Sequence, residues 1–439
     1  MKIDEALAWL DSHLNLERIA RAGRRRTRTP NLDGITALTE LMGSPQHQYP
    51  VLHLTGTNGK TSTARLLTDL LVAHGLSVGT LTSPHLERIN ERITWNGDSI
   101  ADEALADSLA AIAELEPLVD GPRPSFFDAL VAAAFRWFAD IAVDAAVLEV
   151  GMGGRWDTTN VADGKVAVVT GIGLDHTEYL GPTLELIARD KAGIVKPGAT
   201  LVLGEGRPEL VEVFNDSPAD AMWLVGRDFA CEENLPAIGG RSLALRTPGA
   251  SYDQVLLSLH GAHQGHNAAC ALAAAEAFFA RPLDESLVRE VFGKAMSPGR
   301  MEVVGQRPLV VLDGVKNPDG ARAAATTLTE TFGDRRRIVV FGQLRGRDSE
   351  LIARELELGD AHHVVCCAPD WPRALPAEEA ANAVKAAGCE SVEVVHDVAA
   401  AAARALQMAE PDDLVFVTGS LYVVGAARTA LRRETRGAK

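Results

Sequence analysis

The sequence predicts a two-domain α/β protein, a phosphate-loop ATPase domain followed by a smaller Rossmann-like domain. Three observations lead there. An apolar run at 49–54, with β-branched and aromatic members, feeds a glycine-rich turn, and a helical pattern follows at once. Further short apolar runs recur downstream, several ending in glycine and polar residues, as strands of a parallel sheet do. After Ser297, Pro298, Gly299 and Arg300 the alternation starts afresh, which sets the expected domains at 1–297 and 298–439.

With 439 residues the chain has core enough for two or three domains, and 46% hydrophobic with 23% charged residues is the balance of a soluble globular protein. A net charge of −16 argues against general binding to nucleic acid or an anionic membrane, so an anionic substrate must find its cations gathered locally. The cysteines (Cys231, Cys270, Cys366, Cys367 and Cys389) form no CxxC pair and read as reduced thiols. Asp4 and Glu5 argue against a signal peptide, and no apolar run is long enough to span a bilayer. The expectation is a cytoplasmic protein with no nucleic-acid and no membrane partner.

Residues 4–20 carry Leu7, Leu10, Leu14 and Ile19 at helical spacing and lead into a basic run, Arg21, Arg24, Arg25, Arg26 and Arg28. That run reads as a solvated loop, with contact to an anionic substrate tail or another subunit as the alternative. A short helix at 35–42 precedes the turn Gly56-Thr57-Asn58-Gly59-Lys60-Thr61-Ser62. Its glycines let backbone N–H groups close around phosphate oxygens, the following helix adds its positive end, and Lys60 brings a mobile charge. The usual pattern has a glycine at position 54, where this chain has Leu54, so this is a shortened phosphate loop and an expected ATP site. Ala64, Leu66, Leu67, Leu70 and Leu71 then continue as a helix that Gly75 stops.

A strand at 77–81 runs toward Ser83, whose hydroxyl is placed to touch metal or phosphate. Helices at 101–119 and 125–139 precede a buried strand at 145–150, in which Glu149 is the one charge. A carboxylate there needs a partner. Mg²⁺ beside an ATP loop is one, since it prefers oxygen ligands, and an ion pair with Arg155 is the other. A strand at 166–170 brings His176 to the same crevice, and a helix at 183–196 carries Asp190 and Lys191. Residues 200–260 read as short strands and turns, and a helix at 264–280 has Asn267 near its start. In the second domain a strand at 309–312 leads to Asp313, Gly314, Val315, Lys316, Asn317 and Pro318. Strands at 338–341, 364–367 and 414–417 follow, the last running into Thr418, Gly419 and Ser420.

These motifs, in this order and over nearly the whole chain, resemble the folylpolyglutamate synthase/dihydrofolate synthase family of the Mur ligase superfamily. The resemblance rests on the loop at 56–62 and on Ser83-Pro84-His85-Leu86 with Glu91-Arg92-Ile93. It extends through Glu149-Val150-Gly151-Met152-Gly153-Gly154-Arg155, Asp175-His176, Lys191-Ala192-Gly193, His263-Gln264, Asn267, Pro298-Gly299-Arg300, Asp313-Gly314 and Ser420-Leu421-Tyr422. It implies a Mur-ligase-type fold and ATP-dependent amide ligation. The γ-phosphate passes to a substrate carboxylate, and the amine of L-glutamate attacks the acyl phosphate. The implied acceptors are tetrahydrofolyl-polyglutamate, dihydropteroate or both, on a monomeric enzyme with Mg²⁺ (two ions) and with K⁺ as a further cation to test.

By matching positions, Lys60 with Gly56, Thr57, Asn58, Gly59, Thr61 and Ser62 would hold ATP, and Ser83, Glu149 and His176 would serve the metal ions. Lys191, as a carbamate, would ligate the second ion. Asn267 would contact adenine, and Arg300 and Asp313 would complete the ATP site from the second domain. Asp157, with Phe126 or Phe127, matches pterin-holding positions, and Ser420 lies toward the glutamate side.

Three departures bear on the acceptor. Gly59-Lys60-Thr61-Ser62 replaces the family's common Gly-Lys-Gly-Ser, Lys316 stands where a histidine is usual, and Gly346-Arg347-Asp348 replaces Asp-Lys-Asp. Two other functions stay open on these grounds. One is a Mur-type amino-acid ligase on another acceptor, although only 55 residues precede the loop, too few for that group's nucleotide-sugar domain. The other is a catalytically silent nucleotide-binding paralogue.

Overall fold

The computed structural model describes residues 1–18 and 31–437, so Ile19 and the basic run from Arg21 to Arg28 lie outside the described residues. The first sheet contains β1 (Val51–Thr55), β2 (Val78–Leu81), β3 (Ile93–Trp95), β4 (Asp98–Ser99), β5 (Ala145–Glu149), β6 (Gly164–Val169), β7 (Thr200–Leu203) and β8 (Ala221–Leu224). Their order is β4-β3-β2-β5-β1-β6-β7-β8, parallel except where β3 pairs with β2 and β4. The central strands β1 and β5 are buried along their whole length. Continuous apolar runs suit strands covered on both faces. Leu52 and Leu54 point into a core shared with the helices Lys60–Ala73 and His263–Phe279, whereas Val51, Ala146 and Leu148 meet the helix Phe126–Asp140.

Leu67 is fully buried in the first of these cores. Leu67→Ala is expected to cost about 2–5 kcal/mol by denaturant unfolding, because the rigid surroundings close only part of the cavity.

A three-stranded antiparallel sheet follows, with β9 (Ala230–Ala237), β10 (Gly240–Arg246) and β11 (Ser251–Leu257) in the order β11-β10-β9. Leu243, Leu245, Tyr252, Val255 and Leu257 share the core of the helix His263–Phe279. The last sheet holds β12 (Glu302–Gln306), β13 (Leu309–Asp313), β14 (Arg337–Phe341), β15 (His363–Cys366), β16 (Val392–Val394) and β17 (Leu414–Thr418). Its order is β12-β13-β17-β14-β15-β16, parallel apart from β12.

Several expected elements need correction. The first helix spans only Ile3–Asp11, not 4–20. Beyond it the chain finds partners elsewhere: Leu14 O accepts the Phe126 N–H, and Glu17 takes both ends of the Arg92 guanidinium. The helix at 183–196 is Leu184–Lys191 followed by the 3₁₀ turn Ala192–Ile194, where Gly193 passes against Arg155. A helix at Pro208–Asn215 lies inside the stretch expected to hold only strands and turns. Among the described residues no helix is long and apolar enough to cross a membrane.

Candidate active site

Residues just beyond the C-terminal ends of β1, β5 and β6, and of β13 and β17, line one cleft of about 670 Å³ between the first and last sheets. The carboxyl ends of parallel strands are where open α/β sheets hold ligands. The predicted Thr57, Asn58, Gly59, Lys60, Thr61, Ser62, Ser83, Phe126, Phe127, Glu149, Asp157, His176, Asn267, Arg300, Asp313, Lys316 and Ser420 all line it. Gly56, the first residue of the loop, and Lys191, which contacts it from behind, do not. Lys191 is buried, and its Nζ donates to Gly56 O at 3.0 Å and sits 3.4 Å from Thr55 Oγ1. Burial pulls this ammonium down to about 7, with Lys60 and Lys316 pushing the same way.

The loop is held tightly. Gly59 has φ +84°, and a Cβ there would stand 2.2 Å from Asn267 Oδ1, so only glycine satisfies both the backbone and the space. Asn267 in turn donates to Gln264 Oε1 at 2.9 Å, which fixes its amide against the loop. Lys60 folds back, donating to Gly56 O at 2.9 Å. Burial pulls Lys60 down to about 8, reinforced by Lys316 and opposed by Glu149.

Glu149 is 1% exposed. Thr61 Oγ1 lies 2.9 and 3.0 Å from its two oxygens, and the Ser83 N–H donates at 3.3 Å. Burial pushes the carboxyl up, with Lys60 opposing. Arg155, the alternative partner, is exposed and not among its contacts. A buried carboxylate held only by neutral donors fits a hard cation that keeps waters and takes further ligands from phosphates. Among the described residues no three His, Cys, Asp or Glu side chains gather closely enough to hold a metal by themselves.

His176 has a left-handed backbone, φ 52°, ahead of the short helix Thr177–Leu180. Burial pulls its imidazole down to about 3, with Asp175 opposing and Lys316 adding to the fall. Lys316 pairs with Asp175, Nζ to Oδ2 at 2.7 Å, across the seam between the sheets. Asp313, only three residues before Lys316 in the sequence, instead accepts the Met301 N–H at 2.9 Å. Burial raises Asp313 to about 6, against the pull of Arg300, which donates to Gly314 O at 3.1 Å. Asn317 donates to Asn58 Oδ1 at 3.0 Å, a second contact across the seam.

The far wall is apolar, with Phe126 and Phe127 joined by Leu14, Leu16, Met152 and Trp156. Asp157, below it, already accepts from the Thr159 N–H and hydroxyl and from the Met152 N–H. Ser420 is buried and accepts the Tyr422 N–H at 3.1 Å, and Arg347 and Arg373 line the same end of the second domain. Sequence reasoning assigned no role to Asp175, Arg373, Trp156 or the Leu14 stretch. Asp175 had a signal, its place beside His176 after β6, whereas Arg373 and Leu14 reach the cleft only through tertiary packing.

Two family models match the chain: the Mur ligase middle domain over residues 128–275 and the Mur ligase glutamate ligase domain over 299–421. The chain is 39% identical to the dihydrofolate synthase/folylpolyglutamate synthase of Mycobacterium tuberculosis, covering 92% of this chain and 91% of that protein. The crystal structure of M. tuberculosis folylpolyglutamate synthase complexed with ADP and AMPPCP superposes with a TM-score of 0.90 at 37% identity, covering 98% of both chains. A bifunctional folylpolyglutamate synthase/dihydrofolate synthase with Mn, AMPPNP and L-glutamate bound superposes at 0.83 with 27% identity and 98% coverage of each. With the phosphate loop, the buried Glu149 and a second-domain wall gathered in one cleft, the chain belongs to the dihydrofolate synthase/folylpolyglutamate synthase family of Mur ligases.

Proposed function

We propose that this protein is an ATP-dependent ligase that joins L-glutamate to the carboxylate of a folate-type acceptor, tetrahydrofolyl-polyglutamate, dihydropteroate or both. The observation that carries this reading is that a phosphate loop from one sheet and cationic side chains from the other line a single cleft. A free carboxylate is a poor electrophile, and phosphorylation gives it a good leaving group. The protein's share of the work is to orient the three substrates and to neutralise charge on the transferring phosphoryl group.

Lys60 exchanges its loop carbonyls for phosphate oxygens, Arg300 approaches from the second domain, and Asn267 meets the adenine. Glu149, Ser83 and His176, with Lys191 as a carbamate, would hold two Mg²⁺ ions, which when bound supply charge neutralisation at the phosphates. Potassium is a further cation to vary in the assay. The aromatic wall of Phe126, Phe127 and Trp156 suits a planar pterin, and Arg347 and Arg373 beside Ser420 suit an amine that carries two carboxylates. We take residues 1–297 and 298–439 as the two units of a cytoplasmic monomer.

The direct test offers the purified protein ATP, Mg²⁺ and labelled L-glutamate with dihydropteroate, tetrahydrofolate or a UDP-muramyl acceptor. Phosphate release with a one-glutamate mass gain on a folate-type acceptor is expected. Mass gain only on the muramyl acceptor, or on none, overturns the proposal.

Lys316 replaces a short titratable ring with a flexible cation and is held by Asp175. Lys316→Ala is expected to raise the glutamate KM or cut kcat while ATP binding stays largely unchanged, and Lys316→His to keep substantial activity. Unchanged steady-state parameters in both variants would show that the substitution is neutral.

A further inference from the structure

The loop that carries Ser83 leaves the first sheet after β2 and returns to it at β3. Glu91 gives this loop its shape, accepting the backbone N–H groups of Leu86 (2.8 Å), Glu87 (3.0 Å) and Arg88 (2.8 Å). The tip is seated in the second domain. Leu86 lies against Gly299 and packs on the core that includes Val423, Val424 and Ala427. The Leu86 carbonyl comes so near the helix Leu421–Gly437 that a Cβ on Gly425 would stand 2.0 Å from it. Glu87 pairs with Arg428 of that helix at 3.1 Å, and Arg428, 7% exposed, is also held by Glu302 at 2.8 Å.

Both ends of this connection reach the cleft. The loop begins at Ser83, whose N–H donates to Glu149, and the helix begins directly after Ser420. We propose that Leu86 and Glu87 are positioning residues, a peg of the first domain seated in the second, through which the docking of the two domains sets where Ser83 stands against Glu149. The inference rests on the ligase function proposed above and assigns residues that touch neither nucleotide nor acceptor. The pair at Glu87 is partly buried, so its loss leaves Arg428 imperfectly matched rather than merely exposing it. A small displacement of a positioned group is enough to slow turnover strongly.

The test uses the full chain, with Gly425→Ala and Glu87→Ala as variants and Glu87→Asp as the conservative partner. Alanine is a better helix former than glycine, so a loss in Gly425→Ala reports the displaced loop and not a weakened helix. Amide exchange of residues 83–88 in the ligand-free protein is expected to quicken by about 10-fold. Turnover should fall by about 10- to 100-fold, with the KM for ATP within about twofold of wild type. Glu87→Asp should recover most of both. Val384→Ala, in the distant core of the second domain, should lower Tm and leave both readouts alone. Unchanged exchange in both main variants, or faster exchange with unchanged kcat, overturns the proposal. Exchange needs no turnover, so an inactive wild-type chain would overturn the ligase function while the seating of the peg could still be read.

Discussion

Glu149→Gln is expected to cut turnover by about 10²-fold or more, the scale set by losing charge stabilisation in the transition state, with the fold intact. The glutamine keeps the shape of a side chain that is 1% exposed and keeps an acceptor for Thr61 and Ser83. What it loses is the negative charge, which no guanidinium or ammonium in direct contact balances among the described residues. If Glu149 only anchored Thr61 and the Ser83 loop, the amide would serve nearly as well. Circular dichroism and Tm check the fold, and steady-state turnover decides. Near-normal turnover would remove Glu149 from the metal site.

Lys191→Ala should be nearly inactive, by about 10²-fold or more, and partly rescued by formate or acetate. An amine pulled to about 7 is substantially uncharged at neutral pH, so its nitrogen can attack CO₂ and lose a proton to give a carbamate. That product replaces an ammonium crowded by Lys60 with an anionic oxygen donor, where among the described residues no three His, Cys, Asp or Glu side chains gather to hold a metal. The structure also offers a simpler role, since Lys191 Nζ already supports the Gly56 carbonyl. The two roles part on rescue, because a small carboxylate restores a missing oxygen ligand but not a hydrogen bond to a loop carbonyl. Activity retained without added carboxylate would exclude the carbamate.

The phosphate loop was legible because its cues are local: an apolar strand, a left-handed glycine, a lysine and a helix follow one another within a short stretch. Glu149 was legible as a lone charge in an otherwise apolar buried strand, yet its partner was not, since Thr61 reaches it from another element. Lys316 shows the same limit more sharply. Asp313 stands only three residues away along the chain, but side chains meet where the two sheets face each other, and Asp175 stands there. The first helix was read too long because Leu14 continues its spacing, while its carbonyl is engaged by Phe126. Pro208 at the first turn of its helix was a usable signal that short apolar runs on either side concealed.

The partition of strands along the chain has a further consequence. Every strand of the first sheet lies between Val51 and Leu224, and every strand of the last sheet between Glu302 and Thr418. On the ribosome, where domains fold as units from the N-terminus, the nucleotide-facing sheet can close while the last sheet is still being translated. The cleft is therefore the last feature to exist. Until the helix after Ser420 emerges, the Leu86 tip has nothing to seat in, and the nascent chain carries a finished phosphate loop that lacks its opposite wall.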